Sequence, residues 1–195
     1  MTTFFLIRHA HCDGVGRILW GRRHDVHLNE EGKSAARALA ERVAHDRLDA
    51  IYSSPLERAL ETADEIAQQS RLAPIHINQS FNELDYGDWT GQTIESLEGD
   101  PVWRNFNTIR TRTPVPGGES ILSAQARIVD ELKRLSLKHM NENVAIVSHA
   151  DIIKAALAYF SSLDLDEVNQ IDVPPCSIIR LEVRREQARA MTVSL

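Results

Sequence analysis

The sequence predicts an α/β fold in which a mostly parallel central sheet is covered by helices on both faces, as a three-layer α/β/α sandwich. Short, continuous apolar runs at residues 4–7 and 144–147 are typical of strands that are buried on both faces. Segments with helical periodicity alternate with such runs, which favours parallel strands joined through helices. Polar residues follow the runs directly, as expected where the strands of such a sheet end in a ligand-binding edge.

Five strands are predicted from the apolar runs. The last of them alternates partly between apolar and polar side chains, which is typical of a strand nearer the edge of the sheet. The five segments are residues 4–7, 50–52, 75–77, 144–147 and 177–183.

Four long helices are predicted from apolar residues that recur every three or four positions. In the first, this repeat occupies positions 36–43, and Asn29 is placed to cap its amino terminus. Pro55 is predicted to lie in the first turn of the second helix, a position that tolerates proline. The second, third and fourth helices are predicted around residues 56–67, 121–135 and 152–160.

Residues 85–118 differ from the rest of the chain, because they are rich in glycine, proline, threonine and charged residues and contain Trp89 and Trp103. We interpret them as a cap-like excursion over the sheet, with a short helix near residues 93–97. The whole chain, residues 1–195, is predicted to be one domain that includes this excursion.

Composition narrows the classes of function. With 195 residues, 43% of them hydrophobic, the chain can bury one sizeable core, and its net charge of −6 argues against nucleic acid or an anionic membrane as a partner. No apolar run approaches the roughly 20 residues of a membrane span, and the first residues lack the features of a signal peptide. Two cysteines, Cys12 and Cys176, make no disulfide framework. We therefore expect a cytoplasmic protein that acts on a small molecule; nothing in the sequence indicates an oligomeric state.

Three motifs are rejected as functional sites. Gly32 is followed by lysine and serine, as in a P-loop, but His27 stands where that motif requires its first glycine. A cysteine phosphatase requires arginine six residues after its cysteine, but the residue at that distance from Cys12 is Ile18. The histidines between positions 9 and 27 lack a carboxylate or cysteine at a ligand spacing, so no metal and no other cofactor is predicted.

A different group of residues has the chemistry to bind phosphate. Arg8 and His9 end one predicted buried strand, and His149 ends another. A buried arginine needs an anionic partner, and the guanidinium fork matches phosphate oxygens. Arg58 lies early in a predicted helix, and Glu83 stands just before the excursion.

The motifs around these residues occur in an order that resembles the histidine phosphatase superfamily, in its phosphoglycerate mutase-like branch. The resemblance extends from position 6 to about position 160, and its specificity comes from the ordered set rather than from any single motif. The matching segments are LIRH at residues 6–9, LNEEG at 28–32, SSPLERA at 53–59, NEL at 82–84 with Gly87 and Gly91, PGGES at 116–120 and VSH at 147–149.

The resemblance implies a role for each of these residues. It implies that His9 attacks phosphorus and becomes a phosphohistidine, that Arg8, Arg58 and His149 hold the phosphoryl oxygens, and that Glu83 acts as general acid and then general base. These roles agree with the chemistry, because a neutral imidazole is a nucleophile near pH 7 and fixed cations stabilise the charge that spreads over the phosphoryl oxygens.

The sequence departs from the family pattern at positions near the expected phosphate. Ala10 and Ala150 replace glycines of the family, and Val15 replaces an asparagine. Arg17, Arg22 or His11 are candidates to take over the role of that asparagine side chain. Phosphate or substrate binding is accordingly predicted for Arg8, Arg58, His149, Ala150, Gly21, Arg22 and Arg17.

The predicted function is hydrolysis of a small phosphorylated metabolite by a metal-independent phosphomonoesterase. One alternative is a phosphoglycerate mutase-type transfer, but the segment Glu83–Tyr86 lacks the added positive charge that such mutases carry. A second alternative is a phosphate-binding module without turnover, suggested by the departures at positions 10, 15 and 150. The residues expected to set specificity are Trp20, Arg22, Trp89, Trp103, Arg104 and Arg110.

Overall fold

The six strands form one mixed sheet in a computed structural model that describes residues 1–183 and 188–190. The strands are β1 (Thr2–Arg8), β2 (Ala50–Ser53), β3 (His76–Ile77), β4 (Asn143–Ser148), β5 (Ile178–Val183) and β6 (Ala188–Ala190). Their order across the sheet is β3-β2-β4-β1-β5-β6; the first four are mutually parallel, whereas β5 runs antiparallel to β1 and β6 antiparallel to β5. The predicted mostly parallel sheet is confirmed, and β6 is a strand that the sequence did not predict.

The described residues also form six α-helices. They are α1 (Glu30–Ala44), α2 (Glu57–Ser70), α3 (Ile94–Leu97), α4 (Pro101–Phe106), α5 (Ile121–Lys138) and α6 (Ala150–Ser161). The predicted cap of α1 is present, since the Asn29 side chain accepts a hydrogen bond of 2.8 Å from the Gly32 N–H. None of the helices in these described ranges is both long and apolar enough to cross a bilayer.

The prediction that Pro55 lies in the first turn of α2 is wrong. The helix begins at Glu57, and the residue before it, Leu56, has an extended backbone with φ −77° and ψ 140°. Pro55 therefore belongs to the turn between β2 and α2. That turn also contains Ser54, whose hydroxyl contacts a histidine at the end of β4.

Alternate residues of the central strands enter two separate cores, one on each face of the sheet. On β1, Phe4 and Leu6 join the core beneath α5 and α6, whereas Phe5 and Ile7 join the core beneath α1 and α2. Since β1 carries apolar side chains on both faces, it reads as a continuous apolar run in the sequence. The three-layer arrangement follows from this pattern.

The predicted excursion, residues 85–118, packs its aromatic side chains into the first of these cores. Trp89 and Trp103 meet edge to face with 5.2 Å between ring centroids, and Phe106 lies 5.5 Å from Trp89. All three rings are buried in the same cluster as Phe4 and Leu6 of β1. The predicted short helix near residues 93–97 is present as α3, capped by Thr93, and α4 is a further helix that the sequence did not predict.

Candidate active site

The carboxyl ends of β1 and β4 bring the two predicted histidines together. The two strands are parallel neighbours in which Arg8 lies opposite Ser148, so His9 and His149 leave the sheet side by side. Their rings lie 5.1 Å apart between centroids, at an angle of 60°. A cavity of about 170 Å³ opens in front of His9 and is lined by Arg8, His9, Val15, Gly16, Ile18, Leu19, Trp20, Gly21, Arg58, Glu83, Tyr86, Ile94, Ala150 and Asp151.

The His9 ring is held so that its Nε2 atom is free. Its Nδ1 lies 2.7 Å from the carbonyl oxygen of Ala10, which can only accept a hydrogen bond, so Nδ1 carries the proton and Nε2 keeps its lone pair. Burial lowers the pKa of His9 well below its usual value, and the charges of Arg58 and Arg8 lower it further. The imidazole is therefore neutral near pH 7 and can act as a nucleophile.

His149 is fully buried beside His9 and is not among the residues that line the cavity. Its Nε2 lies 2.7 Å from the Ser54 hydroxyl, which also accepts a long hydrogen bond of 3.4 Å from the Leu56 N–H. The Ser54 hydrogen is then available to donate to Nε2, and this arrangement assigns the ring proton to Nδ1. Nδ1 has no hydrogen-bond partner among the described residues and lies 3.9 Å from a carboxylate oxygen of Glu83. An oxygen atom of a ligand could satisfy this donor.

Two arginines place positive charge at the cavity, and neither forms an ion pair with a carboxylate of the described residues. Arg58 is only 2% exposed, and its guanidinium donates to the carbonyl oxygens of Gly21 at 2.7 Å and Arg23 at 3.4 Å. Arg8 donates to the carbonyl of Val173 at 2.7 Å, while its Nε is buried without a partner in the described part of the chain. Carbonyl partners orient a guanidinium but leave its charge intact, so both are prepared for an anionic ligand.

Glu83 also lines the cavity, and its side chain is only 12% exposed. Burial, together with the nearby charge of Asp151, raises the pKa of Glu83 to about 7. Its Oε1 accepts a hydrogen bond of 2.9 Å from the Leu84 N–H, which fixes the carboxyl group relative to its own backbone. The carbonyl of Glu83 accepts from Arg22 at 2.9 Å and Arg127 at 3.1 Å. The carboxyl group can therefore release and regain a proton near pH 7 from a fixed position.

The structure separates the other predicted binding residues into two groups. Gly21 and Ala150 line the cavity, and the Gly21 carbonyl positions Arg58. Arg17 is exposed and lies outside the cavity lining, while Arg22 points to Glu119, with 2.8 Å between guanidinium and carboxylate. Arg22 thus contacts the backbone of Glu83 rather than the cavity.

The positions that depart from the family pattern adapt without backbone strain. Neither Ala10 nor Ala150 has a positive φ angle, so neither position requires glycine. The Ala10 amide donates to the Thr62 hydroxyl at 3.0 Å, and Val15 presents an apolar side chain to the cavity. His11, a candidate to act in place of the family's asparagine, does not line the cavity either.

Sequence reasoning missed a buried polar group in the lining of the cavity. Asp151 forms an ion pair of 3.0 Å with Arg110 and accepts a short hydrogen bond from the Tyr86 hydroxyl. Burial raises the pKa of Asp151, but the charge of Arg110, the hydrogen bond from Tyr86 and the charge of Lys154 together hold that pKa below its usual value. Its position in the sequence was the one feature that could have indicated a place in the site, because Asp151 follows His149 by two residues, in the first turn of a helix that starts at the strand end.

Comparison with known proteins agrees with this arrangement. The sequence profile of the histidine phosphatase superfamily (branch 1) matches residues 4–194. The chain belongs to this superfamily.

Relatives of the chain in this superfamily include phosphatases. Phosphoserine phosphatase 1 of Hydrogenobacter thermophilus is 33% identical over 191 residues, which cover 95% of this chain and 89% of that protein. The phosphoserine phosphatase of Entamoeba histolytica, solved in complex with phosphoserine, matches with a TM-score of 0.88 at 27% identity, covering 98% of this chain and 96% of the other. A mycobacterial glucosyl-3-phosphoglycerate phosphatase matches with a TM-score of 0.86 at 26% identity, covering 97% of both chains.

Proposed function

We propose that the protein hydrolyses a small phosphorylated metabolite through a phosphohistidine on His9, with Glu83 as general acid and base. One observation carries the proposal. A neutral imidazole with an available Nε2 lone pair shares a single cavity with two guanidinium groups and a carboxyl group whose pKa is about 7, and neither guanidinium is paired with a carboxylate in the described part of the chain. A nucleophile, an anion clamp and a proton donor are the parts that phosphoryl transfer requires.

In the first step, the Nε2 lone pair of His9 attacks phosphorus while the bond from phosphorus to the leaving oxygen breaks. An alkoxide is a poor leaving group, so Glu83 gives its proton to that oxygen and the substrate departs as an alcohol. The imidazole then carries the phosphoryl group on Nε2. Its Nδ1–H continues to donate to the Ala10 carbonyl, which stabilises the positive charge gained by the ring.

In the second step, water attacks the phosphoryl group from the side that the alcohol has left. The Glu83 carboxylate takes a proton from this water, the P–Nε2 bond breaks, and its electron pair returns to His9. Inorganic phosphate leaves and both residues regain their initial protonation states, so the cycle needs no further reagent than water.

Charge on the migrating phosphoryl group is stabilised by donors that need no rearrangement. A phosphate monoester carries about two negative charges at neutral pH. Arg58 and Arg8 are already held by carbonyl oxygens, and among the described residues the His149 Nδ1–H has no partner until an oxygen arrives. Removal of one such fixed donor typically costs a hundredfold or more in kcat.

The alternative of a mutase is less well supported by the surroundings of Glu83. A mutase passes the phosphoryl group to a molecule that already carries a phosphate group, so it must hold a second phosphate beside the acid. In this chain Arg22 is occupied by Glu119, and the carboxylate of Asp151 stands in the same cavity as Glu83. Water as the acceptor fits this side of the cavity better than a molecule that would bring a second phosphate group there.

The test is turnover of an aryl phosphate in the presence of a chelator, followed by rapid quenching of the enzyme with labelled substrate. We expect chelator-resistant turnover and a protein-bound label that is stable to alkali and lost in acid, as a phosphoramidate should be. His9→Ala should abolish both signals. His45→Ala, which changes an exposed histidine at the end of α1, is the matched control and should keep them. Label on another side chain, or tight phosphate binding without turnover, would contradict the proposal.

A further inference from the structure

A second cavity adjoins the catalytic one. Its volume is about 760 Å³, and Leu19, Tyr86, Ile94 and Asp151 line both cavities. Because four side chains are shared, a molecule whose phosphoryl group lies at His9 can extend its other end into the larger space. The remaining lining residues of the second cavity are Glu98, Trp103, Arg104, Asn107, Thr108, Arg110, Lys154 and Asn169.

The charged groups of this cavity are only partly neutralised within the protein. Arg110 and Asp151 form an ion pair of 3.0 Å and are both buried. Arg104 and Lys154, in contrast, form no hydrogen bond or ion pair through their side chains with any residue of the described ranges. Glu98 is the one further carboxylate among the described lining residues. An excess of about one positive charge therefore faces the cavity.

Lys154 is the better placed of the two cations. It follows Asp151 by three residues on α6, so it lies on the same face of that helix as the wall shared by both cavities. Lys154 is half-buried, and this burial lowers its pKa, while the nearby charge of Asp151 opposes the shift. A half-buried ammonium without a hydrogen-bond partner is costly unless an anion compensates it.

We propose that Lys154, assisted by Arg104, binds a carboxylate on the alcohol part of the substrate and so selects phosphorylated hydroxy acids. This inference rests on the proposed phosphatase function. A carboxylate fits better than a second phosphate group, because the excess charge of the cavity is about one and a phosphate monoester would bring about two negative charges. The Asp151 carboxylate is already held by Arg110 and Tyr86, so it does not compete for Lys154 at hydrogen-bond distance.

The experiment compares 3-phosphoglycerate with glycerol 3-phosphate, which differ in a carboxylate against a hydroxymethyl group. The native protein should hydrolyse 3-phosphoglycerate with the higher kcat/KM. Lys154→Met keeps the length of the side chain without its charge, and it should reduce the ratio of the two kcat/KM values about 10- to 100-fold, as expected for loss of one charge-assisted hydrogen bond. Lys33→Met, at an exposed lysine of α1, is the matched control and should leave the ratio unchanged.

A binding measurement separates this inference from the proposed function. Calorimetric titration of the His9→Ala protein should show tighter binding of 3-phosphoglycerate than of glycerol 3-phosphate, and Lys154→Met in that background should remove the difference. The inference is overturned if both ligands bind equally, if Lys154→Met weakens both to the same degree, or if a ligand with two phosphate groups binds best. Failure of turnover with a retained difference in binding would instead count against the proposed hydrolysis alone.

Discussion

At the scale of single residues, burial shifts the pKa of the proposed nucleophile and of the proposed acid in opposite directions. Removal from water disfavours the charged form of any group, so it lowers the pKa of His9 and raises that of Glu83 to about 7. The same physical cause therefore keeps the imidazole unprotonated and the carboxyl group protonated. Between the two pKa values both residues have the form that the first chemical step requires.

The opposite pKa shifts of His9 and Glu83 predict how kcat/KM depends on pH. Since Glu83 must be protonated to act as the acid, kcat/KM for an alkyl phosphate should fall as the pH rises through about 7. Asp151→Asn removes a negative charge that raises the pKa of Glu83, so the alkaline limb should move to lower pH.

An aryl phosphate, whose leaving group needs no proton, should show little of this limb, and Glu83→Gln should slow alkyl phosphates far more than aryl ones. Profiles of kcat/KM for both substrates test this; an unchanged limb in Asp151→Asn, or equal losses on both substrates in Glu83→Gln, would contradict it.

The sequence identified the residues that the fold brings together, but not how each is held. Arg8, His9 and His149 could be predicted because they directly follow apolar runs. Asp151 had only its position two residues after His149 as a signal, and Tyr86 had none, since an acid in a helix turn and a tyrosine in a loop have ordinary solvent-exposed roles in most sequences. Arg22 was predicted to contact substrate, and only three-dimensional contacts show that Glu119 holds it.

At the scale of elements, the loop that follows β1 is fixed by the start of α1. The carbonyl of His11 accepts a hydrogen bond of 3.2 Å from the Asn29 N–H, and Cys12 forms an isolated bridge with Leu28. Gly32 lies so close to this loop that an added Cβ would stand 1.9 Å from the His11 carbonyl oxygen. The position of His9 thus depends on a glycine in a different element.

Gly32→Ala should therefore damage both stability and turnover. The methyl group forces the loop or the helix to move, and overpacking of this kind typically costs about 1–3 kcal/mol. We expect a lower melting temperature and, because the displaced loop carries His9, a lower kcat/KM for an aryl phosphate. The control is Gly99→Ala, where an added Cβ meets no atom within 4 Å. Loss of stability with fully retained kcat/KM would show that the loop does not position His9.

Elements were predictable where the local pattern agreed with the tertiary environment. The strands buried on both faces and the long amphipathic helices have this property, as does the cap at Asn29. The six residues of α4 are too few to show a helical repeat, and the three residues of β6 are too few to show alternation. Such short elements form because their neighbours hold them, so the chain alone carries little signal for them.

At the scale of the whole molecule, the excursion and the sheet share one core. Trp89 and Trp103 belong to the same buried cluster as residues of β1, β4, α5 and α6. The excursion also supplies Tyr86 and Ile94 to the catalytic cavity and Arg104 to the second cavity. We propose on this basis that residues 1–195 form a single domain in which the excursion cannot unfold on its own.

The single-domain proposal predicts one cooperative unfolding transition. Circular dichroism reports the helices and the sheet, whereas tryptophan fluorescence in a Trp20→Phe background reports only Trp89 and Trp103 of the excursion, because the chain has three tryptophans. If a shared core couples the two regions, urea should produce coincident curves with the same midpoint. Trp103→Ala, which removes a ring that is 8% exposed, should lower both midpoints together, at a cost of about 3–5 kcal/mol. A fluorescence transition at lower urea than the circular dichroism transition would instead show that the excursion is a separate folding unit laid over the sheet.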